Sequence, residues 1–211
     1  MKNVILFDND GVLVETELWY FRANEKAMKE LGVTLELEYY LELMKHGGNW
    51  WELALQQGVT MDEVNLARER RSRYYQHYLR TEDIYIDGVE EIIKELAESY
   101  RMGIVTTSRR VDFEIIHHAK KLTRHMEYIL CEEDYPRAKP YPDPYLKALE
   151  LFGVSADQAI VVEDSQRGLS AAVSAEIECA VVKNDFTASH DFSSATYRLE
   201  SLKELKSLLK R

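Results

Sequence analysis

Val4-Ile5-Leu6-Phe7-Asp8-Asn9-Asp10-Gly11-Val12-Leu13-Val14 runs from four apolar residues into two aspartates that flank an asparagine, with a glycine behind them. The apolar run is too short to cross a membrane and fits a strand buried on both faces. A strand that ends in acids and glycine leaves a core and enters a site. In extended backbone the side chains of Asp8 and Asp10 lie on the same side. Two close carboxylates repel each other, so such a pair serves a metal or an acid/base task; the plainer alternative is a polar turn after a strand.

The chain around this stretch has 211 residues, 45% hydrophobic and 30% charged, with a net charge of -10. That is enough for one sizeable domain plus an insertion. The acidic balance, with a pI of about 5.2, disfavours a general nucleic-acid binder, because nothing would neutralise phosphates over a wide surface. Cys131 and Cys179 are far apart and show no metal-ligand spacing, which fits a reducing cytoplasm. The N-terminus does not read as a signal peptide, and no membrane span or internal repeat is visible. A cytoplasmic protein, monomeric or weakly dimeric, is the expectation.

Residues 3–7 read as the first strand. From Glu15 to Arg80 apolar residues recur at helical spacing, as in Phe21, Ala27, Met28 and Leu31. Helices are expected up to Gly32, over Leu35 to Lys45, over Trp50 to Gln57, and from the capping box Thr60-Met61-Asp62-Glu63 to about Arg80. After Asp87-Gly88 the pattern becomes α/β. Helices are expected at 89–100, 111–123, 144–152, 166–175 and 199–209, and strands at 102–106, 127–131, 159–162 and 179–182. Alternating strands and helices imply right-handed crossovers and a parallel sheet covered on both faces. The expected division is an α/β core of residues 1–14 and 85–211, with an all-helical insert at 15–84.

In such sheets ligands bind at the carboxyl ends of the strands. Those ends carry Asp8 and Asp10, then Thr106-Thr107-Ser108, then Glu163-Asp164-Ser165, with Lys139-Pro140 in the loop before the helix at 144. Taken singly, the hydroxyl run reads as a helix cap, the lysine as a solvated loop residue and the acids as a surface turn. Their convergence on one sheet edge points instead to a site.

In this order the four groups resemble the motifs of the haloacid dehalogenase superfamily. The stretches at 7–16 and 161–169 are close to its β-phosphoglucomutase and phosphoglycolate-phosphatase-like branch, which also carries a helical cap inserted after the first strand. The resemblance implies a Rossmann-like three-layer α/β/α core with a helical cap. It implies Asp8 as a nucleophile that forms an aspartyl-phosphate and Asp10 as general acid/base. It implies a Mg²⁺ ion held by Asp8, the Asp10 carbonyl and Asp164, with Glu163 as an auxiliary ligand. Thr106 and the Thr107 amide would hold phosphoryl oxygens, and Lys139 would neutralise charge.

The resemblance therefore leads to a Mg²⁺-dependent phosphatase acting on a small phosphorylated metabolite such as a sugar phosphate, with no nucleic-acid or membrane partner. A phosphomutase is the alternative within the branch. Its phosphoglucomutases carry a histidine where this chain has Tyr20, and a cap-loop arginine where this chain has His46-Gly47-Gly48-Asn49. Arg68, Arg70, Arg71 and Arg73 could substitute for that arginine or form a solvated basic face. A non-catalytic phosphometabolite binder is the alternative from another class. Trp19, Trp50 and Trp51 line a pocket or fill the helical core. His117 and His118 are expected to take no catalytic part.

Overall fold

The computed structural model describes residues 2–119 and 121–210. The chain forms two compact units, one of residues up to Glu15 together with those from Tyr85 onward, the other Thr16–Ile84.

The first unit is built on a six-stranded parallel sheet of order β3-β2-β1-β4-β5-β6. Its strands are β1 (Val4–Phe7), β2 (Arg101–Val105), β3 (Tyr128–Leu130), β4 (Ala159–Glu163), β5 (Glu178–Val182) and β6 (Tyr197–Leu199). β1 lies at the centre, pairing Phe7 with Ile104 of β2 and with Val162 of β4. Successive residues of β1 face opposite layers, as the two-residue period requires. Ile5 and Phe7 join a core with Val89, Ile93 and Leu96 of α5 (Val89–Leu96), Phe113 of α6 (Arg110–Ile116) and Leu205 of α9 (Leu205–Leu209). Val4 and Leu6 join a second core with Tyr145 and Phe152 of α7 (Asp143–Phe152) and Leu169 and Ala172 of α8 (Gln166–Ser174). Helices thus cover both faces, which is the expected three-layer core.

Two elements differ from expectation. The stretch at 199–209 is not one helix: Leu199 ends β6, Leu202–Glu204 is a 3-10 turn, and only Leu205–Leu209 is α-helical. Tyr197–Leu199 pairs with Ala180–Val182 at the sheet edge, a tertiary hydrogen-bond ladder that three residues of local sequence cannot signal. The helix expected at 111–123 ends at Ile116; part of its remainder, Lys120, lies outside the described residues.

The second unit contains α1 (Glu17–Lys29), α2 (Leu37–His46), α3 (Glu52–Gln56) and α4 (Met61–Thr81). Thr60 and Glu63 form the capping box that starts α4. Gly47 ends α2 with φ 68°, a left-handed conformation that costs glycine nothing. Trp51 is buried, and Trp50 packs on Tyr40 and donates to Asn24 Oδ1 at 3.0 Å. The tryptophans of this unit thus include core residues. Arg70 is neutralised by Glu30 at 2.8 Å, while the Arg71 guanidinium rests over the Tyr20 ring. No helix among the described residues is long and apolar enough to cross a membrane.

Candidate active site

β1 delivers Asp8 at the carboxyl edge of the sheet, and the chain then turns sharply. The Asn9 carbonyl accepts from the amides of Leu13 at 2.8 Å and Val14 at 3.1 Å, and Gly11 N–H donates to the Val14 carbonyl at 2.7 Å. Gly11 adopts φ +80°, and a Cβ there would lie 2.1 Å from Asp164 Oδ2. Only glycine therefore allows the turn to approach the Asp164 carboxylate this closely.

Lys139 stands at the centre of the buried cluster. Its ammonium donates to Asp8 Oδ1 at 2.7 Å, to Glu163 Oε1 at 2.6 Å and to the Val105 carbonyl at 2.8 Å, so all three N–H groups are used. Burial alone would strip its charge, but Asp8 and Glu163 outweigh that and hold its pKa above the usual lysine value. Arg167 donates to the Lys139 carbonyl at 3.0 Å and so holds the backbone of the same loop.

Glu163 is wholly buried. Its Oε1 also accepts from the Tyr145 hydroxyl at 2.8 Å, and its Oε2 accepts from Ser165 Oγ at 3.0 Å. Burial would raise its pKa, yet Lys139 and these hydroxyls win and lower it. Gly168 packs directly on this carboxylate, where a Cβ would fall 1.8 Å from Glu163 Oε1. For Asp8 the balance runs the other way. Burial pushes its carboxyl up to about 7, against the pull of Lys139 and with the help of Glu163 and Asp10.

Asp10 Oδ2 accepts from Ser108 Oγ at 2.7 Å and from Thr106 Oγ1 at 3.2 Å. Thr106 Oγ1 in turn accepts from the Ser108 amide at 3.0 Å, so the residues after β2 form a small hydroxyl cradle. Thr106 is buried, and its carbonyl accepts from Tyr135 Oη at 2.6 Å. Thr107 is half-buried on the same turn.

The fold thus brings Asp8, Asp10, Thr106, Lys139, Glu163 and Asp164 to one sheet edge. Ser108 was named in the sequence only as part of the hydroxyl run, without a role of its own, and Tyr145 was not named at all. Ser108 had a signal, because it ends the hydroxyl run that includes Thr106. Tyr145 had none, because it reads as an ordinary core residue of α7. His117 is also closer to the site than expected, with Nε2 2.7 Å from Asn9 Oδ1.

The site fits a divalent cation. Carboxylate oxygens of Asp8, Glu163 and Asp164 lie within 4.8 Å of one another, an all-oxygen set suited to a hard ion. Lys139 pairs with two of these carboxylates, Asp8 and Glu163, while Asp164 lies beside them. Both Glu163 oxygens also accept hydrogen bonds from protein groups.

A parallel α/β core with two aspartates just after its central strand, the first paired with a buried lysine, is the framework of a hydrolase. The chain belongs to the haloacid dehalogenase-like hydrolase family, whose signature matches residues 5–182. It is 29% identical to protein CbbY of Cereibacter sphaeroides over 99% of this chain and 96% of that protein. It is 27% identical to a phosphoglycolate phosphatase of Aquifex aeolicus over 80% of this chain and 78% of that protein. The solved structure of CbbY from Rhodobacter sphaeroides in complex with phosphate matches with a TM-score of 0.82 and 25% identity, covering 97% of this chain and 96% of that one.

Proposed function

We propose that this chain is a Mg²⁺-dependent phosphatase that hydrolyses a small phosphorylated metabolite of the sugar-phosphate class by way of an aspartyl-phosphate on Asp8. The observation that carries the reading is the placement of Lys139 Nζ 2.7 Å from Asp8 Oδ1, with the Asp10 carboxylate hydrogen-bonded to Ser108 and Thr106. A pure binder has no use for a nucleophile beside an acid.

Asp8 attacks phosphorus, and the ester oxygen leaves as an alcohol with a proton supplied by Asp10. Asp10 then takes a proton from the water that cleaves the aspartyl-phosphate. Thr106 Oγ1 and the Thr107 amide hold oxygens of the transferring group. Lys139 offsets charge between Asp8 and phosphate and keeps Asp8 oriented. Asp8, Asp164 and the Asp10 carbonyl would hold Mg²⁺, with Glu163 anchoring Lys139 rather than the ion. When bound, the ion supplies positive charge to the phosphoryl oxygens.

Charge arithmetic supports the need for that ion. A phosphate dianion near Asp8 meets about 4 kcal/mol of repulsion per charge pair at ~4 Å in an effective dielectric of ~20. Lys139 offsets one such pair, and a divalent cation offsets two more. The helical unit supplies the substrate-selecting cap that the family resemblance implies. The relatives support the substrate class: CbbY has been solved with phosphate, and its D10N variant with xylulose-(1,5)bisphosphate. The test is a panel of phosphate esters with Mg²⁺. Phosphate should be released from at least one sugar phosphate and not after exhaustive chelation. Release that survives chelation would contradict the metal requirement.

A further inference from the structure

We propose that His117, acting through Asn9, is a positioning residue for the acid/base carboxylate Asp10, an inference that rests on the phosphatase reading above. Asn9 separates the two aspartates and is fully buried. Its Oδ1 accepts from His117 Nε2 at 2.7 Å, while its Nδ2 has no partner among the described residues. Among the described residues, His117 is therefore the one hydrogen-bonding partner of this side chain.

Asn9 matters because its main-chain carbonyl, a different oxygen from the one His117 holds, organises the whole turn. That oxygen receives the amides of Val12, Leu13 and Val14, and Asp10 and Gly11 ride on the loop so formed. With its side chain anchored by His117, the Asn9 main chain is held in place, and a shift of that main chain would carry Asp10 with it. The imidazole has little freedom of its own. It is buried, packs on Phe113 at 4.5 Å between ring centroids, and sits immediately after Ile116, the last residue of α6.

The segment from β2 through α6 thereby grips the catalytic loop at two points. Ser108 and Thr106, at its start, hold the Asp10 carboxylate. His117, at its end, holds the residue before Asp10. Phosphoryl transfer is sensitive to misplacement of this kind, since a displacement of ~1 Å can cost a factor of about 100 in rate. A neutral histidine with an Nε2 hydrogen suits the task, because it donates to the amide oxygen without adding charge beside Asp8 and Asp10.

The test compares His117→Gln, which keeps a donor near Nε2, with His117→Met, which keeps bulk and loses the donor. Steady-state kinetics would use a phosphate ester turned over by the wild type with Mg²⁺, with the melting temperature recorded alongside. The expected result is a kcat about tenfold lower in His117→Met, a KM within about twofold of wild type, and recovery of most of kcat in His117→Gln. Equal kcat in wild type and His117→Met would overturn the proposal. So would parallel losses of kcat in both variants that follow their melting temperatures, since that marks a packing role alone. If His117→Met does not fold, His117→Gln decides by itself: kcat near wild type supports positioning, and a tenfold loss overturns it. Absence of turnover in the wild type itself would instead overturn the phosphatase reading, and this inference with it.

Discussion

Lys139 Nζ lies 2.6 Å from Glu163 Oε1 in a pocket where both side chains are almost wholly buried. The lysine reaches from a loop between β3 and α7, the glutamate from the last position of β4. Their pairing turns the ends of separate strands into one charged unit, and Asp8 completes it at 2.7 Å from the same nitrogen.

Removing the lysine should therefore cost far more than a surface ion pair. Lys139→Met leaves Asp8 and Glu163 buried without a counter-charge, a loss of about 3–5 kcal/mol. Urea unfolding should show a lower midpoint with an unchanged slope. Turnover should fall below detection even where the variant is folded. A midpoint equal to wild type would mean that the buried pair contributes nothing.

Ser108 offers a milder test. Its hydroxyl donates to Asp10 Oδ2 at 2.7 Å, and a hydrogen bond to a charged group is worth about 1.5–3 kcal/mol. Ser108→Ala should lower stability by no more than that amount and kcat by about tenfold, because Thr106 keeps part of the hold on Asp10. Unchanged kcat would remove Ser108 from the site.

Much of the architecture was legible in the strand ends. The run into Asp8, the hydroxyls after β2 and the Glu163-Asp164 pair are local patterns, and the parallel sheet follows from their alternation with helices. Lys139 was legible only through its place before Pro140. What stayed hidden depends on contacts between distant residues. Tyr145 reads as core until its hydroxyl is found on Glu163, and His117 reads as an ordinary helical histidine until Asn9 is found beside it. β6 was lost for the same reason, since its short edge strand is defined by β5 and not by its own composition.

Gly168 carries a steric prediction. A methyl group there would meet the Glu163 carboxylate at under 2 Å, with Cβ only 1.8 Å from Oε1. Gly168→Ala should destabilise the fold by about 1–3 kcal/mol as Glu163 is displaced, and should lower kcat by loosening Lys139. Calorimetry and steady-state kinetics on the one variant check both; wild-type values in both would contradict the packing described.

His117 carries a pH prediction. Burial pushes its pKa down to about 4, against a weaker upward pull from Asp10 and an ordinary value of 6.5. Between these values the unfolded chain binds the proton and the folded chain does not. The stability from this group is thus complete above about 6.5 and is lost as pH falls toward about 4, by up to ~3 kcal/mol. Wild type should lose stability over that window more steeply than His117→Gln, measured by urea unfolding at each pH. Parallel curves would show that the imidazole does not stay neutral through folding.

The central claim is that Asp8 becomes phosphorylated during turnover. Rapid-quench mass spectrometry on the wild type with Mg²⁺ and a hydrolysed phosphate ester measures this directly. The predicted result is one phosphoryl group on the peptide containing Asp8, absent after chelation and absent in Asp8→Asn, which should not turn over. Steady turnover by Asp8→Asn, or a phosphoryl group trapped on any other residue, would contradict it.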